Sequence, residues 1–286
     1  MTTVRVEQAD CQTVVEDLGR PGWAHLGVPH SGALDTSALS VANRLVGNPE
    51  GHAGLEVLLG GLTLVADGSM RIALTGAPLS LRVGGRAAPW GTAVSVPARA
   101  RIEVGPAPGA LRGWLAVAGG IDTPVVLGSR STDTLGGLGP PPLRVGDVMR
   151  VGPVGPAPEG AGTAVPAPGP GSPVVLRLRL GPRDDWFKAG SIETMGERDF
   201  EVSAASSRVA IRLRGEPLER RASGELASEG LVVGAVQVPG DGQPLVFLAD
   251  HPTTGGYPVV GVVDPADLAH CAQLTPGDAL RFRVVR

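Results

Sequence analysis

The chain has 286 residues, of which 42% are hydrophobic, 19% charged and only 3% aromatic, and its formal net charge is −3. That apolar content is enough for a core of domain size, and so small a charge offers no basic field for nucleic acid or an anionic membrane. No apolar run nears the ~20 residues of a membrane span and the opening "MTTVRVEQAD" has no signal-peptide core, so a cytoplasmic protein is expected. Lys188 is the sole lysine and no G-x-x-x-x-G-K-[ST] stretch exists, which excludes a P-loop. Lys188 sits in "WFKAG", unlike a biotin attachment site, so no covalently attached biotin is expected on this chain. Cys11 and Cys271 lie far apart without metal-ligand spacing and read as reduced, packed thiols with no metal site.

With few rings, the core must be filled by Val, Leu, Ala and Ile, and β-branched valine favours strands. The 43 glycines and 27 prolines punctuate short apolar runs such as "MRIALTG" and "PLVFLAD", the pattern of an all-β protein, and barrels are expected rather than a doubly wound sheet.

In chain order, "EDLGRPGWAHLGVPHSGALD" (Glu16 to Asp35) is too irregular for one strand and crowds together Asp17, Arg20, His25, His30, Ser31 and Asp35. Adjacent His30 and Ser31 point in different directions in most backbone conformations, and no G-x-S-x-G elbow exists, which argues against a serine-hydrolase triad. "DTSALSVANRLVGNP" predicts a helix with Asp35 as N-cap, Ala38, Val41, Ala42, Leu45 and Val46 on one face, and a stop at Gly47. "LGSRSTDTLGG" (Leu127 to Gly137) offers Ser129, Arg130, Ser131, Thr132 and Asp133. It is either a clamp for carboxylate or phosphate, or a solvated turn in which Arg130 pairs with Asp133.

"PVGPAPEGAGTAVPAPGPGSP" (Pro153 to Pro173) cannot build a core and reads as a linker or mobile loop. It separates a β-rich N-terminal half, residues 1–152, from a β-rich C-terminal half, residues 174–286. "GPRDDWF" (Gly181 to Phe187) is either a capped turn or part of a site wall. "DHPTTGGYPVVG" (Asp250 to Gly261) holds the only tyrosine, Tyr257, and gathers a carboxylate, an imidazole, hydroxyls, a phenol and glycine amides able to face an anion at φ > 0. A glycine turn capping a barrel end is its alternative. "DPADLAHCAQLTPGD" predicts a second helix, with Asp264 as N-cap and Pro265 at its first position.

The halves echo one another. "RIALTGAPL" (Arg71 to Leu79) is answered by "AIRLRGEPL" (Ala210 to Leu218), "WLAVAGGIDTPVVLG" (Trp114 to Gly128) by "FLADHPTTGGYPVVG" (Phe247 to Gly261), and "LRVGDVMRV" (Leu143 to Val151) by "LTPGDALRF" (Leu274 to Phe282). Their common order predicts two related halves.

These motifs, with "ANRLVGNP", "LAVAGGID" and "GAVQVPGDGQP", resemble in order the allophanate hydrolase subunit 2 family, the KipA or PxpC group of biotin-dependent carboxyltransferase-like proteins. The likeness runs over almost the whole chain. Two positions depart from it: "GGLGPPPL" has prolines where the family usually places arginine, and Pro252 replaces a usual glutamine. The resemblance implies a mainly β architecture of two related cyclophilin-like β-barrel halves with a few short helices, and a partnership with a subunit 1 of the KipI or PxpB group.

With a LamB/YcsF-type subunit, such pairs resemble ATP-dependent 5-oxoprolinase, a hydrolase that opens 5-oxo-L-proline to L-glutamate, so ATP is expected at the level of the complex. The alternatives are the carboxyltransferase component of a urea carboxylase or urea amidolyase, and a regulator in the manner of the KipI and KipA pair, which acts on a sensor kinase. For opening a small amide, the expected catalytic residues are Asp250, His251, Thr253, Thr254 and Tyr257. Arg20, His30, Ser31, Ser129, Arg130, Ser131, Gly255 and Gly256 are expected to bind substrate, with Arg130 on its carboxylate.

Overall fold

A computed structural model describes residues 2–109, 111–156, 173–221, 224 and 226–285. Most of the Pro153 to Pro173 segment therefore lies outside the described residues. The chain forms two compact units: Met1–Arg20 with Ser31–Asp133 and Gly137–Gly169, and Pro21–His30 with Thr134–Gly136 and Pro170–Arg286.

The first unit contains β1 (Thr3–Ala9), β2 (Thr13–Glu16), α1 (Thr36–Val46), β3 (Gly54–Leu58), β4 (Leu62–Ala66), β5 (Met70–Gly76), β6 (Ser80–Val83), β7 (Arg86–Ala88), β8 (Ala93–Val96), β9 (Arg101–Gly105), β10 (Arg112–Val117), β11 (Ile121–Asp122) and β12 (Val148–Val151). They form two sheets, ordered β11-β12-β1-β4-β9-β6-β7 and β2-β3-β10-β5-β8. Alternation along the strands sends Val4, Val6, Leu62, Leu64, Ile102 and Val104 from the first sheet, and Val15, Leu55, Ile72, Leu74, Leu115 and Val117 from the second, into one core.

Helix α1 covers the other face of the second sheet. It packs Ala42 and Val46 on Ala73, Ala116 and Ala118, small residues that let helix and sheet approach closely. The Asp35 carboxylate accepts a hydrogen bond from the Ala38 amide, and Gly47 closes the helix at φ 80°, so both expected ends hold. The buried face is turned from the expected one: Leu39 and Asn43 are buried, while Val41 and Leu45 are half-buried. Asn43 tolerates burial because its Nδ2 donates to the Glu50 and His52 carbonyls at 3.1 and 2.7 Å and its Oδ1 accepts from Asn48 Nδ2 at 2.9 Å.

The second unit contains β13 (Val174–Leu180), α2 (Ala189–Glu197), β14 (Asp199–Val202), β15 (Ala210–Arg214), β16 (Glu229–Gly230), β17 (Ala235–Gln237), β18 (Leu245–Phe247), β19 (Thr254–Gly255), β20 (Val259–Val263), α3 (Leu268–Cys271) and β21 (Ala279–Val285). Seven of these strands close a barrel in the order β13-β20-β17-β18-β15-β14-β21, and β16 and β19 make a separate two-stranded ribbon. The protein is mainly β with a few short helices, as the sequence predicts. The helix expected from Asp264 begins instead as a 3-10 turn, Pro265–Asp267, before α3. Helix α2 has no clear signal in the sequence: it contains Gly190 and Gly196 and buries only Met195, so it lacks an amphipathic pattern.

The echoes hold in part. β5 lies antiparallel beside β10, and its counterpart β15 lies antiparallel beside β18. The third pair differs: β12 runs antiparallel to β1, whereas β21 runs parallel to β13 and antiparallel to β14.

Candidate functional site

The expected site residues fall into two groups. Arg20, Ser31, Ser129, Arg130 and Ser131 belong to the first unit; His30, Asp250, His251, Thr253, Thr254, Gly255, Gly256 and Tyr257 belong to the second.

In the first unit the polar loop after Leu127 wraps a carboxylate of its own. Asp17 is buried, and its Oδ1 accepts from the Gly19 amide at 2.8 Å and from the Ser129 and Ser131 hydroxyls, each at 2.6 Å, while Oδ2 accepts from the Arg130 amide at 2.6 Å. Ser129 and Ser131 thus direct their hydroxyl protons to Asp17. Ser31, at φ 55°, donates to the Thr132 carbonyl at 2.9 Å. Arg130 pairs with Asp122 at 2.9 Å and donates to the Thr123 carbonyl, so its partner is not Asp133 and its fork is already occupied.

Arg20 is different. Its side chain is buried, with Nε on the Val126 carbonyl at 3.4 Å and Nη2 on the Ser131 carbonyl, and Nη1 has no hydrogen-bond partner. Gly139 lies against this group at φ 78°, and a methyl group there would overlap the Ser131 carbonyl. Where the family places arginine the carbonyl of Pro140 accepts from the Thr132 hydroxyl at 2.9 Å, a role any residue's backbone could fill.

In the second unit Asp250 is fully buried. Its Oδ2 accepts from Arg208 Nε at 3.0 Å and from the Thr134 amide and hydroxyl at 3.1 and 2.6 Å, and its Oδ1 accepts from Arg208 Nη2 at 3.3 Å. So bonded a carboxylate is an anchor rather than a proton carrier. His251 is buried beside it, its ring 6.2 Å from that of Phe247, and its Nδ1 lies 2.7 Å from the Pro252 carbonyl. Burial depresses its basicity, the Pro252 carbonyl opposes that, and His30 depresses it further while Asp250 raises it; the net effect is downward. The imidazole is then neutral at pH 7, with Nδ1–H donating to the carbonyl and Nε2 left as an acceptor. The contact at residue 252 is made by backbone, so the proline found there keeps it.

The segment expected to be a glycine nest is a strand. Thr254 and Gly255 pair with Gly230 and Glu229, the Leu231 amide donates to the Thr253 carbonyl at 2.9 Å, and neither Gly255 nor Gly256 has positive φ. Gly255 is required for a different reason: a Cβ there would lie 2.7 Å from Gln237 Nε2 and 2.9 Å from Leu231 Cδ1. Gln237 in turn donates to the Tyr257 carbonyl at 2.9 Å. Tyr257 is half exposed, with the Arg220 guanidinium 6.0 Å from its ring centroid. "GPRDDWF" is a wall of this ribbon: Arg183 grips Glu229 through Nε at 3.0 Å, and its amide donates to the Val259 carbonyl at 2.9 Å.

Sequence reasoning missed Arg208, Thr134, Arg220 and Gln237. Arg208 is readable only through topology. Once β15 and β18 are paired, the Asp250 amide donates to the Arg208 carbonyl at 3.2 Å and brings the two side chains together.

A profile of the carboxyltransferase domain, subdomain A and B, matches residues 26–284. The chain belongs to this carboxyltransferase family. Among carboxyltransferase-domain relatives, it is similar to the C component of 5-oxoprolinase from Escherichia coli, with 36% identity over 285 residues, 98% of this chain and 90% of the relative. The crystal structure of TTHA0988 superposes with a TM-score of 0.89 at 34% identity, covering 99% of this chain and 55% of that one. K. lactis urea amidolyase superposes with a TM-score of 0.90 at 30% identity, covering 98% of this chain and 18% of that one. This carboxyltransferase domain thus spans about half of the TTHA0988 chain and a far smaller share of the amidolyase.

Proposed function

We propose that this chain is the PxpC-type component of an ATP-dependent 5-oxoprolinase, which opens the cyclic amide of 5-oxo-L-proline to L-glutamate. It works in a hetero-oligomer with a KipI/PxpB-type subunit 1 and a LamB/YcsF-type subunit. The observation that carries this reading is the 36% identity to the E. coli 5-oxoprolinase component over 90% of that protein's length.

Opening a lactam by water needs a group to take a proton from the attacking water, donors for the oxygen that gains charge, and a donor for the leaving nitrogen. His251 Nε2, free and neutral, suits the first and third tasks. The exposed Thr254 hydroxyl and the half-exposed Tyr257 phenol are the donors beside it in sequence. Asp250, the residue before His251, anchors this stretch of chain through its bond to Arg208. ATP supplies activation of the amide oxygen when bound in the complex. At Thr253 to Gly256 this chain lacks the left-handed glycine cradle a triphosphate would need, so no step through ATP is assigned to it.

A second reading, the carboxyltransferase component of a urea carboxylase, is favoured by the TM-score of 0.90 to K. lactis urea amidolyase. Under it the biotin is attached outside these 286 residues. The two readings part in one assay: ATP-dependent glutamate release from 5-oxo-L-proline by the three-subunit mixture. His251→Gln is expected to lower turnover by about 10²-fold or more, and Thr254→Val by on the order of 10²-fold if its hydroxyl meets the oxyanion. A mixture that releases no glutamate, while this chain with a biotin carboxylase and carrier carboxylates urea, establishes the second reading instead.

A further inference from the structure

The second unit has an open cleft of about 630 Å³, lined by residues of α2, β13 and β21 and by none of the expected site residues. Its floor is apolar. Leu180, Ile192 and Val284 line it and each stays partly exposed, and α2 buries only Met195, so the apolar surface here is incompletely covered.

The walls carry opposite charges. Glu193 and Glu197 line the cleft from α2 and both are exposed; Arg281 and Arg283 line it from β21, the first half-buried and the second exposed. Arg281 is bonded through Nε to Asp199 at 2.6 Å, but among the described residues no ion pair engages Glu193, Glu197 or Arg283. The two carboxylates work against their own helix. Like charges four residues apart repel, Glu197 stands at the negative end of the helix dipole, and the last turn of α2 contains no basic residue. Cations brought from outside α2 would relieve both effects.

The spacings of the two walls match. Residues four apart on a helix lie about 6 Å apart along its axis and residues two apart on a strand about 6.6 Å, so the glutamates of one chain can meet the arginines of another pair by pair. A two-fold contact requires a patch that complements itself. A cleft with a glutamate wall and an arginine wall meets that requirement, because rotation about a two-fold axis sets the α2 of each copy against the β21 of the other. Exposed ion pairs add little affinity, so they would fix the register while the apolar floor supplies the attraction.

We infer that this cleft is a self-association surface, at which two copies of the chain pair about a two-fold axis with Glu193 and Glu197 of each against Arg281 and Arg283 of the other. A second copy is the occupant whose charges are known to fit. The inference does not rest on the 5-oxoprolinase reading.

The test is sedimentation equilibrium of the full chain at rising concentration, in low and in high salt. A dimer that forms with concentration and weakens as salt screens its ion pairs is expected. Two charge-reversed variants carry the decision: Glu193→Arg with Glu197→Arg, which makes both walls basic, and Arg281→Glu with Arg283→Glu, which makes both acidic. Each alone is expected to weaken self-association by about tenfold or more, through like charges set face to face, and an equimolar mixture of the two to restore it. All four side chains reach the surface, so both variants are expected to fold, which melting temperature checks, and restoration in the mixture is a gain that misfolding cannot produce. A wild-type chain that stays monomeric overturns the inference with no variant needed. So do variants that associate like the wild type, or a mixture that fails to pair. A monomer whose α2 amides gain protection from hydrogen exchange only when the other subunits are added assigns the cleft to a partner protein and overturns it as well.

Discussion

At the scale of single residues, Arg208 and Asp250 decide whether the loop carrying His251 stays in place. Both are buried, with side chains 1% and 0% exposed. Asp250→Ala removes the carboxylate bonded to a buried guanidinium and is expected to cost ~3–5 kcal/mol, whereas replacing both residues by apolar ones of similar volume is expected to cost much less. A double-mutant cycle followed by chemical denaturation checks this, and additive losses would show that the pair is not coupled. His251 gives a pH prediction. Its basicity lies below the ordinary value of 6.5, chiefly through burial, so activity that needs the neutral ring holds down to pH 6.5 and fails only below it. Stability follows the same sign: below pH 6.5 the unfolded ring takes a proton that the folded one resists, so stability falls until the folded ring titrates as well. His30→Gln removes a charge that depresses His251 and is expected to move the acid limb of the rate profile upward; an unmoved limb would separate the two histidines. The glycines are distinguished by space. Gly255→Ala drives a methyl into Gln237 and Leu231 and is expected to cost ~1–3 kcal/mol. Gly256→Ala meets nothing closer than the Leu226 carbonyl at 3.5 Å, and should stay within ~0.5 kcal/mol by thermal melting.

At the scale of elements, what the sequence reveals depends on whether the signal is local. Asp35 and Gly47 bound α1 because a cap and a left-handed stop are set by a few neighbouring residues. The buried face of α1 is legible only in part, since Asn43 is buried through hydrogen bonds to the Glu50 and His52 carbonyls of the loop that follows the helix, which apolar periodicity does not register. "TTGG" reads wrongly as a nest for a similar reason: glycine pairs suggest positive φ, but here the requirement is close approach of Gln237 from another strand, visible only after β16, β17 and β19 are assembled. The hydroxyls of Ser129 and Ser131 look available for substrate because their acceptor, Asp17, lies over a hundred residues earlier. The short helix α3 yields a chemical prediction. Cys271 is fully buried on it, and burial pushes its thiol up to about 12, whereas Cys11 is half-buried. Native protein titrated with a thiol reagent at pH 8 is expected to react at Cys11 only, with Cys271 following on unfolding; rapid double labelling would mean the α3 region opens.

At the scale of the whole molecule, each unit has its own core, and the echoed segments agree in their neighbours more than in their directions. The β5·β10 and β15·β18 pairs repeat, while the last strand of each unit finds different company. In the second unit that difference sets β21 parallel beside β13, with pairs running from Val174 opposite Leu280 to Arg179 opposite Val285. The two strands are the first and last of the barrel, so a force pulling Val174 away from Val285 acts along both and in opposite senses. All six registered pairs then bear the load together instead of opening one after another. Held by these two points, the barrel behaves as a clamp loaded in shear: it should resist extension to a high force and give way in one step, whereas pulling across the antiparallel β15·β18 pair should peel it open gradually at low force.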